Sequence, residues 1–178
     1  MRAIQVSANL IVGKDGSTSR NGSSIGLTTP ADRERFHKLR QESDLIIIGG
    51  NTARREPYKR TPLPLYILTH SKVRLQPKNP QAKQFQLTPT QLLEEIKDNF
   101  KSNNSGQSIR VLIEAGPALL TQMVNQNLVD YLYLTINHKL EGEGKISIKK
   151  LTSNFNLLNS EKINDCEFLK YVKLANGD

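Results

Sequence analysis

Two stretches constrain this chain most: "DLIIIGGNT" at residues 44–52 and "IRVLIEAGP" at residues 109–117. In each, an apolar run of strand length ends on a glycine-containing turn that leads into a helical segment. A strand that is apolar at consecutive positions is buried on both faces. That happens in a parallel or mixed sheet covered by helices, not in a sheet with one wet side. A chain that does this twice, with helical segments after each strand, is expected to fold as an α/β sheet.

The other segments fit around these two. Residues 3–10 read as a first strand, with Gln5, Ser7 and Asn9 alternating with apolar residues. A glycine- and serine-rich stretch follows at 13–26, and a loop of that length in a compact domain is usually a binding loop. Thr29-Pro30 opens a helix as N-cap and first-turn proline, with Asp32 at the capping-box position and Phe36 and Leu39 as its apolar seam. Residues 63–69 read as a third strand and Thr88 as the cap of a second helix. Residues 102–108 read as a turn, and Pro117 as the first turn of a further helix. Residues 129–137 alternate as a strand, and 155–163 with 167–174 form a final antiparallel hairpin. The polar segment 76–86 suggests no element. One domain over residues 1–178 is expected, with the sheet antiparallel at its C-terminal edge.

Composition removes several classes of function. The single cysteine, Cys166, excludes an intrachain disulfide framework or thiolate zinc site. His37, His70 and His138 are scattered, so no metal is expected. No apolar run is long enough to cross a bilayer, and the N-terminus lacks a small-residue cleavage site, so a cytoplasmic protein is expected. The net charge of +8 suits a solubilising surface or an anionic ligand. The lysines are dispersed and not interleaved with aromatics, which disfavours a nucleic-acid platform.

The chemistry-bearing residues gather at the strand ends. In an open α/β sheet, ligands bind outside the carboxyl ends of the strands. Gly49, Gly50 and Gly116 sit there, each before a helix start whose free N–H groups suit an anion. The alternative is a pair of ordinary tight turns. Glu114 ends a buried strand and needs hydrogen-bond partners, either backbone amides or the N–H groups of a ligand such as a pyrimidine. Asp15 in "KDG" is equally a turn residue, and Arg40 is either a solvated helix residue or a phosphate ligand.

Taken together, "DGSTSRNGSSIGLTTPADRERFHKLRQESDLIIIGGNTARRE", "PLYILTHSKVRL", "VLIEAGPALL" and "LVDYLYLTI" resemble the pyrimidine reductase family of riboflavin biosynthesis, in order and at the right intervals. The likeness is to the reductase half of the bifunctional deaminase-reductase and covers nearly the whole chain. It implies a dihydrofolate-reductase-like fold, NADPH as cofactor, and a ribosylaminopyrimidine 5'-phosphate reduced at its sugar C1'. It also implies a homodimer. By the same resemblance Ser24 and Arg40 hold the substrate phosphate, Glu114 holds the pyrimidine, and Asp15 lies beside the reaction centre. Thr52, Ser71, Gly116, Pro117, Ala118 and Leu119 lie on the cofactor. Gly26, Gly49, Gly50 and Glu56 join them, and Arg54 or Arg55 attracts the cofactor's 2'-phosphate.

The chain departs from the family pattern at Gly13-Lys14 before Asp15, at Ala115, at Gly26, and at Arg55-Glu56 where an acidic pair is usual. The rivals are another pteridine- or dihydrofolate-type reductase on the same fold and a non-catalytic nucleotide- or nucleic-acid-binding protein. Nucleic-acid binding would collapse with salt, whereas a pocketed cofactor would respond less.

Overall fold

The computed structural model describes residues 3–101 and 108–175. Most of the turn expected at 102–108 therefore lies outside the described residues. The chain begins with β1 (Ile4–Gly13), β2 (Ser17–Ser19), a 3-10 turn (Ser24–Leu27) and α1 (Pro30–Gln41). It continues through β3 (Leu45–Gly49), α2 (Gly50–Arg55), β4 (Leu65–Leu68), β5 (Ala82–Phe85) and α3 (Pro89–Asn99). Then come β6 (Ile109–Ile113), α4 (Pro117–Asn125), β7 (Tyr131–Asn137), β8 (Glu143–Lys145) and α5 (Ile148–Leu151). The hairpin β9 (Phe155–Ile163) and β10 (Cys166–Lys173) completes it.

Eight strands form one sheet in the order β5-β4-β3-β6-β1-β7-β10-β9. The six strands from β5 to β7 run parallel, and β10 pairs antiparallel with both β7 and β9. This is the mixed sheet with an antiparallel C-terminal edge that the sequence implies. Strand β3 shows why its run is continuously apolar. Leu45 and Ile47 join the core with Leu92, Leu93 and Ile96 of α3 and Leu120, Met123 and Val124 of α4. Ile46 and Ile48 point the other way, into a smaller core with Ala53 and Tyr58. Truncating any one of these fully buried isoleucines to alanine is worth about 2–5 kcal/mol.

Local chemistry sets the helix starts. The Thr29 hydroxyl accepts from Asp32 N at 3.3 Å and caps α1. The Asp32 carboxylate does not close the expected box; it accepts from the Thr28 hydroxyl at 2.7 Å instead. Thr88 and Gln91 form the full reciprocal box at α3.

The structure departs from the sequence reading at three places. Strand β1 runs on to Gly13. The 13–26 stretch is not an open loop, because β2 pairs with β8 in a second small sheet and the 3-10 turn follows. The segment 76–86 has a clear task. It carries the edge strand β5, and its side chains brace the segment after α2. Gln76 Nε2 donates to the Ala53 and Glu56 carbonyls at 2.6 and 3.2 Å. Fully buried Asn79 donates to the Tyr58 carbonyl at 2.9 Å and the Thr61 hydroxyl at 3.0 Å. Among the described residues, no helix is long and apolar enough to cross a membrane.

Candidate active site

A cavity of about 1140 Å³ opens at the carboxyl ends of the parallel strands. A pocket for one small ligand typically measures about 300–1,000 Å³, so this one has room for two molecules side by side. Its walls come from the ends of β3, β4 and β6, the starts of α2 and α4, one face of α1, and the strap that carries the 3-10 turn.

One wall consists of the two glycine turns. Gly49 precedes α2 and Gly116 precedes α4, and neither cap supplies a side-chain hydrogen bond. The other three α-helices of the described residues are capped by Thr29, Thr88 and Ser147 side chains. The two helix starts left without a side-chain cap both face the cavity. A free helix start offers N–H donors and a partial positive charge to an anion. Thr52 ties the turns together: its hydroxyl accepts from Gly116 N at 2.9 Å. Gly49, Gly50, Thr52, Pro117, Ala118 and Leu119 all line this wall.

The glycines differ in what they permit. A Cβ on Gly50 would sit 2.4 Å from Thr69 Oγ1, so Gly50 is required by its own surroundings. A Cβ on Gly49 would make ordinary contact with Leu119 at 3.5 Å, so the structure itself tolerates a side chain there. Arg54 and Arg55 are exposed at the rim; Arg54 Nη1 donates to Asn51 Oδ1 at 3.3 Å. Ser71 also lies on the rim. Its hydroxyl faces its own turn, donating to Val73 O at 3.3 Å and accepting from Val73 N at 3.2 Å.

A second part of the lining centres on Glu114, at the end of β6. Its backbone N–H extends the sheet by donating to Ile47 O at 2.9 Å, while its side chain turns to other side chains. Arg40 Nε and Nη2 each donate to it at 2.7 Å, a bidentate fork. The Tyr58 hydroxyl donates to Oε2 at 2.8 Å. The pair is buried, with side-chain exposures of 14% for Arg40 and 2% for Glu114. The Arg40 guanidinium also lies 4.2 Å from the Phe36 ring centroid. Burial pulls the Arg40 guanidinium down, but its bonds to Glu114 outweigh that and its pKa is raised. Burial, reinforced by the Glu114 charge, pushes the Tyr58 phenol well above its usual value. Glu114 is thus held neither by backbone amides nor by open space. Three of its roughly four acceptor positions are filled, which leaves one for a ligand N–H.

Ser24 and Glu56 also meet at the cavity. Ser24 N and Oγ donate to Glu56 Oε1 at 2.8 and 3.0 Å, and Ser23 Oγ donates to Oε2 at 2.9 Å. Two of the expected site residues border the cavity without lining it. Asp15 is not among the cavity-lining residues. It accepts from Ser17 N at 3.2 Å and pairs with Lys145 at 3.0 Å, and these partners hold its carboxyl down to about 2. Gly26 is likewise outside the lining; a Cβ there would meet Arg20 O at 2.6 Å, so the close approach of the strap to itself requires this glycine.

Sequence reasoning missed Tyr58. An aromatic side chain in the charged run "REPYKR" is its only trace in the sequence. It also missed that Arg40, Glu114 and Glu56 would satisfy one another and the strap. Among the described residues, no group of three or more His, Cys, Asp or Glu side chains is placed to hold a metal ion.

Residues 5–166 match the RibD C-terminal domain family, and the chain belongs to that family. The fold is shared with solved structures of low sequence identity. Acinetobacter baumannii RibD is 17% identical with a TM-score of 0.74, over 97% of this chain and 59% of that one. A Thermotoga maritima diaminohydroxyphosphoribosylaminopyrimidine deaminase/5-amino-6-(5-phosphoribosylamino)uracil reductase is 15% identical with a TM-score of 0.73, over 97% and 57%. This chain therefore spans less than two thirds of either protein. A pyrimidine reductase-like protein from Corynebacterium diphtheriae is 16% identical with a TM-score of 0.70, over 97% of this chain and 93% of that one. No curated protein matches the sequence.

Proposed function

We propose that this chain is an NADPH-dependent reductase of riboflavin biosynthesis acting on a ribosylaminopyrimidine 5'-phosphate. The observation that carries the reading is the division of one 1140 Å³ cavity into two unlike walls. One wall is built of glycine turns and helix starts without side-chain caps. The other is a buried carboxylate with one open acceptor position. The first suits a dinucleotide diphosphate, and the second suits a heterocycle with an N–H edge.

The residues fit the cofactor. The α4 start offers a diphosphate backbone N–H groups that no side chain caps, and Arg54 or Arg55 at the rim favours a 2'-phosphate. NADPH, when bound, supplies the hydride that reduces the sugar C1'. The chain's own part is positioning. Arg40 and Tyr58 fix the Glu114 carboxylate, which leaves its remaining acceptor position to orient the ring. Arg40 Nη1 keeps two N–H donors that Glu114 does not use. Asp15 is assigned no step in this reading; its carboxylate accepts from Ser17 N and pairs with Lys145, next to Thr18 and Gly144 of the cavity lining.

The test is NADPH oxidation followed by absorbance, with the 2-amino-4-oxo and the 2,4-dioxo pyrimidine phosphates each offered. Turnover with one of them supports the reading. No oxidation with either removes it.

A further inference from the structure

Glu56 fastens the strap between β2 and α1 to the α2 side of the cavity. Glu56 caps the C-terminus of α2, and its backbone is anchored there. Its N–H donates to Thr52 O at 2.9 Å, and its carbonyl accepts from Gln76 Nε2 at 3.2 Å. From that fixed base its side chain reaches the strap, and both carboxylate oxygens are taken up by Ser23 and Ser24. The three donors converge on one anionic group at 2.8–3.0 Å. Hydroxyl and amide donors in that arrangement serve a carboxylate or a phosphate ester equally well.

We propose that Glu56 is a latch: its carboxylate occupies the Ser23–Ser24 donors that the phosphate of an incoming ligand takes, and the ligand must displace it to bind. This rests on the reading of the cavity as the site of a phosphorylated substrate and adds the residue that sets its anion affinity. The geometry makes the exchange mutually exclusive. A phosphate oxygen bonded to Ser24 N and Oγ stands where Glu56 Oε1 stands, and two anions do not share that position. Exchange is also cheap. Glu56 lies half-exposed at the rim, so its side chain can turn into water while its backbone stays in place. The strap itself can stay in place, held by Asn21 N donating to Glu143 Oε1 at 3.3 Å and by Asn137 Nδ2 donating to the Leu27 carbonyl at 2.9 Å. Arg33, exposed on α1 and lining the cavity, and Arg54 and Arg55 place positive charge around the entering phosphate.

Removing the latch therefore strengthens binding of a phosphate, whereas removing a residue that merely shapes the site would weaken it. The probe is ribose 5-phosphate, titrated by calorimetry into the purified protein. Glu56→Ala is expected to bind it about tenfold or more tightly than the unmodified chain, the equivalent of one charge-assisted hydrogen bond no longer competed for. Glu56→Gln, which keeps the shape and removes the charge, is expected to fall between the two. It also serves if the alanine variant folds poorly. Adding Ser24→Ala to either variant is expected to abolish the gain. Unchanged or weaker binding in both Glu56 variants overturns the latch, and so does the absence of ribose 5-phosphate binding in every variant. The readout needs no hydride transfer. A latch effect without NADPH oxidation leaves this inference standing while the proposed function falls, and oxidation without a latch effect does the reverse.

Discussion

Glu114→Gln separates the parts of this account most cleanly. The native carboxylate accepts three hydrogen bonds, two from Arg40 and one from Tyr58, in a pair with side-chain exposures of 14% and 2%. Glutamine keeps the shape, removes the charge and turns one acceptor into a donor. That donor faces either the Arg40 fork or the Tyr58 hydroxyl, so at least one contact becomes donor against donor. The guanidinium also loses its counter-charge. Breaking a buried pair by removing one partner costs about 3–5 kcal/mol, and one retained acceptor puts this change near the lower end. For a chain of this size 1 kcal/mol moves the melting temperature by roughly 2–4 °C, so a fall of about 6–12 °C is expected. Thermal unfolding by circular dichroism reads it. The companion double variant Arg40→Met/Glu114→Leu removes both charges and is expected to recover most of the loss, because no uncompensated ion remains. A Glu114→Gln melting temperature within about 2 °C of the unmodified chain would refute the reasoning, since the pair would then be solvated and the cavity wall wet. The surviving folded fraction is expected to bind NADPH normally and to turn over pyrimidine substrate poorly.

Other expectations follow from the same geometry. Tyr58 titrates well above 10 in the folded chain, so the folded state keeps a proton that the unfolded chain releases. Its contribution is complete below pH 10 and is lost as pH rises beyond it, so Tyr58→Phe is expected to be less stable at neutral pH yet to show a shallower alkaline decline in denaturant titrations. Gly50→Ala is expected to lower stability by about 1–3 kcal/mol through its clash with Thr69. Gly49→Ala is expected to leave the melting temperature nearly unchanged and to weaken NADPH binding; equal NADPH affinity would take that turn out of the cofactor site. Neutralising Arg54 and Arg55 together is expected to narrow the NADPH-over-NADH preference by about tenfold or more in steady-state kinetics.

The parts of this fold legible in the sequence are those governed by local rules. Continuous apolar runs marked β3 and β6 because both faces of those strands are covered. Thr29 and Thr88 marked helix starts because a cap hydroxyl acts within three residues. Glu114 stood out because a carboxylate ending a buried strand must find partners. What stayed hidden depends on contacts between distant segments. The β2–β8 pairing joins Ser17 to Lys145. Polar β5 is a strand because it lies at the sheet edge, where burial does not select its residues. Gln76 and Asn79 look like loop residues until the carbonyls of Ala53, Glu56 and Tyr58 are placed against them. The partner of Glu114 was hidden for the same reason: Arg40 lies 74 positions away and Tyr58 56, and no spacing rule connects them. Arg40 and Ser24 were legible as polar residues facing a cavity, but their engagement by Glu114 and Glu56 was not.

The central claim is that a hydride passes from NADPH to the sugar carbon of a substrate held against Glu114. The most direct measurement uses NADPH with both hydrogens at the nicotinamide C4 replaced by deuterium, with the ribosylaminopyrimidine phosphate that supports oxidation, and locates the label in the product by mass spectrometry and NMR. The account expects one deuterium, bonded to C1' of a ribityl chain. Label on the pyrimidine ring, or an unlabelled product formed as NADPH is consumed, would contradict it.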